Sequence, residues 1–162
     1  MMEACVVYDS VYGNTEKIAQ AIGNALGSQA EVAVLRVSDA NPDQFAGLKL
    51  LIVGSPTQRF RPTAATSDLL KRIPGNSLKG VKVAAFDTRL TLSNIEETPI
   101  LAFFVRIFGY AAKPIANRLV KKGGELVVAP EGFFVAGMEG PLMEGELERA
   151  AHWAKQINME VI

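Results

Sequence analysis

The sequence is poor in the residues that announce chemistry most directly. Its 162 residues hold one cysteine, Cys5, and one histidine, His152. A lone cysteine excludes an intrachain disulfide. Cys5 sits in the apolar run Ala4-Cys5-Val6-Val7, where it reads as a small buried hydrophobe rather than a reactive thiol. A lone histidine offers no cluster for a metal ion, and no Gly-x-Ser-x-Gly motif accompanies it to suggest an acyl-transfer triad. Neither sign of charge prevails, with 17 Lys and Arg against 17 Asp and Glu. Without a basic surplus the chain is not a general nucleic-acid binder. With 49% hydrophobic and 21% charged residues it is not a disordered acidic chain either. Long apolar runs are missing too. The longest, Pro99 to Ile107, is interrupted by Arg106 and is too short to span a bilayer. The N-terminus lacks the basic stretch and apolar core of a secretory signal, so a cytoplasmic protein is expected.

The zero balance hides a division. Lys49 to Lys122 carries 13 basic and 4 acidic residues, a surplus of nine positive charges that the rest of the chain offsets. Such a midsection suits an anionic ligand or partner, and it equally suits solvated helix faces.

What the sequence does contain is an alternation. Short Val- and Leu-rich runs recur at Ala4–Tyr8, Val32–Val37, Leu50–Val53, Val81–Phe86 and Leu126–Ala129. They are continuous rather than alternating, as strands buried on both faces are. Between them lie segments of helical spacing. One is marked by Ile18, Ala21, Ile22 and Ala25 with Gly27 as a stop; another runs from Pro62-Thr63 through Leu69, Leu70 and Ile73 to Pro74-Gly75. A third holds Ile115, Leu119 and Val120, with Pro114 in its first turn, and a fourth holds Leu147, Ala150, Ala151, Ala154 and Ile157. The crossover from Asp39 to Gly47 has room for one or two helical turns. No linker or repeat divides the chain, so residues 1–162 are expected to form one domain. The expectation is an α/β fold of three layers, a doubly wound five-stranded parallel sheet of order 2-1-3-4-5. In such sheets ligands bind beyond the carboxyl ends of the strands.

Three loops leave those ends. The first, Asp9-Ser10-Val11-Tyr12-Gly13-Asn14-Thr15-Glu16, joins a strand to a helix. Its hydroxyls, its amide and the N–H groups around Gly13 could surround a phosphate at the helix N-terminus. The same residues would also make an ordinary helix start with Asn14 as cap. The second loop reads Gly54-Ser55-Pro56-Thr57-Gln58-Arg59-Phe60-Arg61-Pro62, and the third follows Phe86 as Asp87-Thr88-Arg89-Leu90.

The segment Val6 to Ala19 resembles the phosphate loop and first helix of flavodoxins, and is most similar to the flavodoxin domains of flavodiiron proteins. Ser10, Gly13, Asn14 and Thr15 match the family's pattern, and Tyr12 stands where many members have Thr or Ser. The second loop resembles the family's Gly-Ser/Thr-Pro-Thr followed by an aromatic. The resemblance implies a flavodoxin-like fold that binds FMN and transfers electrons to a redox partner protein. It implies cofactor contacts from Ser10, Val11, Tyr12, Gly13, Asn14 and Thr15 to the phosphate, and from Pro56, Thr57, Gln58, Arg59 and Phe60 to the ring. Asp87, Thr88 and Arg89 would meet the ring's pyrimidine edge. Phe60 would stack on the ring or pack beneath its loop. Arg59 and Arg61 would reach phosphate or flavin oxygens, or simply be solvated as loop arginines commonly are; near the ring they and Arg89 would favour the anion of the reduced flavin and raise its potential above that of acidic flavodoxins.

The third loop departs from the pattern, having no aromatic directly after Asp87. Ile100 to Tyr110, with Phe103, Phe104, Phe108 and Tyr110, reads as core, as a lid over the flavin, or as a self-association patch. A lid would suit a second function, a flavodoxin-fold FMN-dependent quinone or protoporphyrinogen-type oxidoreductase. The altered third loop suits a third, a flavin-free binding module of the same fold.

Overall fold

A computed structural model describes residues 2–58, 60–91 and 110–157. Among them are strands β1 (Ala4–Tyr8), β2 (Val32–Arg36), β3 (Leu50–Pro56), β4 (Lys82–Leu90), β5 (Glu125–Leu126) and β6 (Glu131–Val135). The helices are α1 (Asn14–Leu26), α2 (Ala64–Arg72), α3 (Ala112–Lys121) and α4 (Glu146–Lys155). The strands form one parallel sheet in the order β2-β1-β3-β4, and β5 and β6 share the fifth place beside β4. This is the doubly wound order expected from the sequence. The crossover after β2 holds two short 3₁₀ turns, Val37–Asp39 and Pro42–Gln44.

Alternate residues of the central strands feed opposite faces. Cys5, Val7, Leu51, Val53, Val83 and Ala85 meet Leu69, Leu70, Ile115 and Leu119 of α2 and α3. Val6, Ile52, Ala84 and Phe86 meet Ile18, Ile22, Ala150 and Trp153 of α1 and α4. On that second face Phe86, Phe133 and Trp153 pack edge-on, with ring centroids 6.1–6.2 Å apart. Phe86 lies across Gly54, its partner in register on β3. A Cβ at Gly54 would stand 2.0 Å from the ring, so only glycine fits there.

Several expectations need correction. β2 is half-buried along its length, not enclosed on both faces, because it is an edge strand. The fifth strand is not Leu126–Ala129. β5 stops at Leu126, which is exposed, and the chain resumes pairing only after Pro130, which has no N–H for a ladder. Gly27 does end α1, as its C-cap, but with φ −61° rather than a left-handed conformation, its N–H bonding the Gly23 carbonyl. Val120 and Leu147 belong to helices but are exposed. The most consequential difference concerns β4, which runs on to Leu90 rather than ending at Phe86. Its second half is paired on both sides, with β3 as far as Thr88 and with β6 from Phe86 to Leu90. Asp87, Thr88 and Arg89 are therefore strand residues.

Candidate functional site

At the carboxyl edge of the sheet is a cavity of about 390 Å³, lined from the β1–α1 loop, the β3–α2 loop, the end of β4 and the turn after β6. That is within the ~300–1,000 Å³ usual for small-molecule sites.

One end is the start of α1. Gly13 takes the left-handed conformation, φ 91°, which lets the chain turn into the helix without strain. Ser10 Oγ accepts the N–H groups of Gly13 (3.1 Å) and Glu16 (3.4 Å). The N–H groups of Asn14 and Thr15 carry no hydrogen bond among the described residues, as the first turn of a helix requires. With the positive end of the helix dipole they form a cradle for an anion. The loop is tied from three sides. Arg36 at the end of β2 donates to the Ser10 carbonyl at 2.9 Å. Its guanidinium lies 3.6 Å from Glu16 and 3.7 Å from Asp9. Asp9 in turn accepts from the Thr63 hydroxyl at 2.5 Å, and Thr63 caps α2. Asn14 is not a helix cap. Its amide donates to the Glu139 carbonyl at 3.1 Å and pins the turn after β6 against the loop.

The second wall is a tight hairpin. Gln58 and Arg61 exchange both backbone hydrogen bonds, at 2.8 and 2.9 Å. Phe60 at its tip is left-handed, φ 69°, a conformation costing a non-glycine residue about 1–2 kcal/mol. Thr57 is held by its N–H to the Thr88 carbonyl, and its hydroxyl accepts from Ala111 N–H at 3.1 Å.

The third wall follows from the continuation of β4. Thr88 faces α1, where its hydroxyl and that of Thr15 are hydrogen-bonded at 2.8 Å. Asp87 and Arg89 face the other way, toward α3. Asp87 is fully buried and accepts from Arg89 Nε and Nη2, both at 2.7 Å, and from Ala112 N–H at 2.9 Å. Burial nevertheless pushes the Asp87 carboxyl above the usual range, against the pull of Arg89 and Ala112 N–H. The Arg89 guanidinium lies 3.7 Å from the centre of the Tyr110 ring. The Tyr110 hydroxyl is buried without a hydrogen-bond partner among the described residues, and burial raises its pKa.

Of the residues expected from the sequence, Ser10, Val11, Tyr12, Asn14, Thr15, Pro56, Thr57, Gln58, Phe60, Thr88 and Arg89 line this one cavity. Gly13 shapes the loop without lining it. Asp87 lies behind the wall as the counter-ion of Arg89. Arg61 is at the hairpin base and does not line the cavity. Arg59 and Ile100 to Phe108 lie outside the described residues. Leu90, Tyr110, Val135 and Met138 also line the cavity and were not assigned to it as contacts, although Tyr110 was noted as one end of the aromatic segment. Arg36 was missed as well. Its one signal was a cation ending a strand that neighbours the first loop in a 2-1-3 order.

The family model described as Flavodoxin matches residues 6–153. Among solved structures, an archaeal flavodoxin is 22% identical, with 99% of each chain covered and a TM-score of 0.74. Oxidised flavodoxin 2 from Bacillus cereus is 23% identical over 95% of this chain and 96% of its own, with a TM-score of 0.73. Rubredoxin oxygen:oxidoreductase from Desulfovibrio gigas is 17% identical, with a TM-score of 0.72. That match covers 98% of this chain and 35% of the larger one. At these identities the structural likenesses establish the fold.

Proposed function

The chain belongs to the flavodoxin family, and from that premise we propose that it binds FMN in the cavity and carries electrons between partner proteins. The observation that supports this most is the division of labour within the cavity. One end offers unbonded helix N–H groups and hydroxyls to a dianion. The far end offers flat side chains, Phe60 and Tyr110, and a fixed guanidinium. The orphaned Tyr110 hydroxyl and the open first turn of α1 fit a ligand with polar edges and a phosphate tail. Bound there, FMN would supply reversible one- and two-electron chemistry. The chain's residues would hold it. Ser10, Thr15 and the N–H groups of Asn14 and Thr15 would take the phosphate, Thr57 and Gln58 the ring edge, and Phe60 a ring face.

The redox partner is expected to be acidic where it meets the midsection, because α2 and α3 expose Lys71, Arg72, Arg118 and Lys121. Charge complementarity of this kind sets encounter rate and partner choice. Among the described residues no helix is long and apolar enough to cross a membrane.

Titrating the purified chain with FMN tests the reading. Bound flavin with quenched fluorescence and a resolved visible spectrum is expected. A colourless protein that leaves flavin fluorescence unchanged would establish the flavin-free module instead. Quinone reduction driven by NAD(P)H with the purified chain alone would establish a stand-alone oxidoreductase.

A further inference from the structure

Arg89 reaches the cavity, but its counter-ion does not. Asp87 is enclosed behind it, and both oxygens are committed to holding the guanidinium and Ala112 N–H. The guanidinium is also held on its flat faces. Tyr110 covers it at 3.7 Å, and at Gly132 of β6 the approach is so close that a Cβ would lie 2.0 Å from Nε. Arg89 therefore cannot turn away from the cavity without losing all of these contacts.

We propose that Asp87 is a positioning residue that sets how much positive charge Arg89 presents to a reducible ring bound in the cavity. The inference rests on the FMN reading and goes beyond it, since Asp87 is assigned a role through Arg89 rather than a contact with the cofactor. The physics is a difference between two nearby charges. Reduction of the ring by two electrons with uptake of one proton leaves it with one negative charge. Arg89 alone would favour that charge by Coulomb attraction. The Asp87 carboxylate, one hydrogen bond further back, opposes it. The pair together presents a dipole where the basic loops of the sequence suggest a free cation. Three rearward contacts keep the dipole's direction fixed.

The test compares the dissociation constants of oxidised FMN and of FMN reduced with dithionite, in the full chain and in Asp87→Asn, Arg89→Gln and the double variant. Asn retains an acceptor for Arg89, so the side chain stays in place while the negative charge is removed. Asp87→Asn is expected to shift the affinity ratio about tenfold toward the reduced form. Arg89→Gln is expected to shift it the other way, and the double variant to return toward the parent. A purely structural role would change both affinities together and leave the ratio fixed. An unchanged ratio in Asp87→Asn, with oxidised FMN still bound, overturns the inference and leaves the FMN reading intact. If Asp87→Asn does not fold, Arg89→Gln decides, because it leaves Asp87 uncompensated; an unchanged ratio there overturns it equally. Failure of the parent chain to bind FMN refutes the cofactor reading and this inference with it.

Discussion

Replacing Gly132 by alanine should damage the site from behind, through Arg89, without substituting any residue that lines the cavity. Gly132 has ordinary backbone angles, and alanine is a better strand residue than glycine. The cost must come from what its Cβ meets, which is Arg89 Nε at 2.0 Å and Cζ at 2.1 Å. No contact that short is absorbed by local adjustment, so the guanidinium has to leave. Its departure breaks two charge-assisted hydrogen bonds to a fully buried carboxylate and the stacking on Tyr110. Breaking one side of a buried pair costs about 3–5 kcal/mol. Two features hold the loss near the lower end. The Arg89 side chain can find water, and the Asp87 carboxyl, already pushed up by burial, can take a proton. A loss of about 3 kcal/mol moves a urea midpoint by about 1.5 M at a slope of ~2 kcal/mol/M. The control is the same glycine change in an Asp87→Asn, Arg89→Ala background, where the three atoms nearest that Cβ are gone and the loss should fall below ~1 kcal/mol. Equal losses in both backgrounds would refute the reasoning, because the cost would then lie in the β6 backbone.

Three other outcomes are expected. Gly54→Ala should lower stability by about 1–3 kcal/mol or more in thermal unfolding, because Phe86 cannot retreat between Phe133 and Trp153. Thr15→Val removes the hydroxyl pair with Thr88 and the phosphate donor that the FMN reading assigns to Thr15. By calorimetry FMN affinity should fall about tenfold, with a stability loss of only ~1 kcal/mol. Glu146 sits against Arg149 and Phe134 N–H. Burial pushes its carboxyl up, but these partners outweigh burial and hold it below the usual glutamate range. Its stabilisation is therefore full above that range and lost as pH falls through the lowered value. Glu146→Gln should be less stable at neutral pH, and its unfolding curve should converge on the parent's on acidification; a constant gap at every pH would count against the assignment.

The parts of the site that were legible are those whose reasons are local. β1 occupies Ala4–Tyr8 as its apolar run implies, and the loop that follows turns at Gly13 because only glycine takes that φ cheaply. Asn14 was legible as a residue of the site but not in its partner, a carbonyl 125 positions away. The third wall was misread for a similar reason. Phe86 ends the apolar run, so Asp87 to Leu90 read as loop, whereas β6 pairs with these four residues and keeps them extended. Once the strand is known to continue, its period of two places Asp87 and Arg89 on the face of Val83 and Ala85, beside α3, and Thr88 on the face of α1. The same step changes the meaning of the basic midsection. Counting charges made Arg89 a cation offered to the ligand, but its neighbour two residues earlier already holds it. Charge that matters to a bound ring is set by which carboxylate stands behind each arginine, and that is a property of strand pairing rather than of composition.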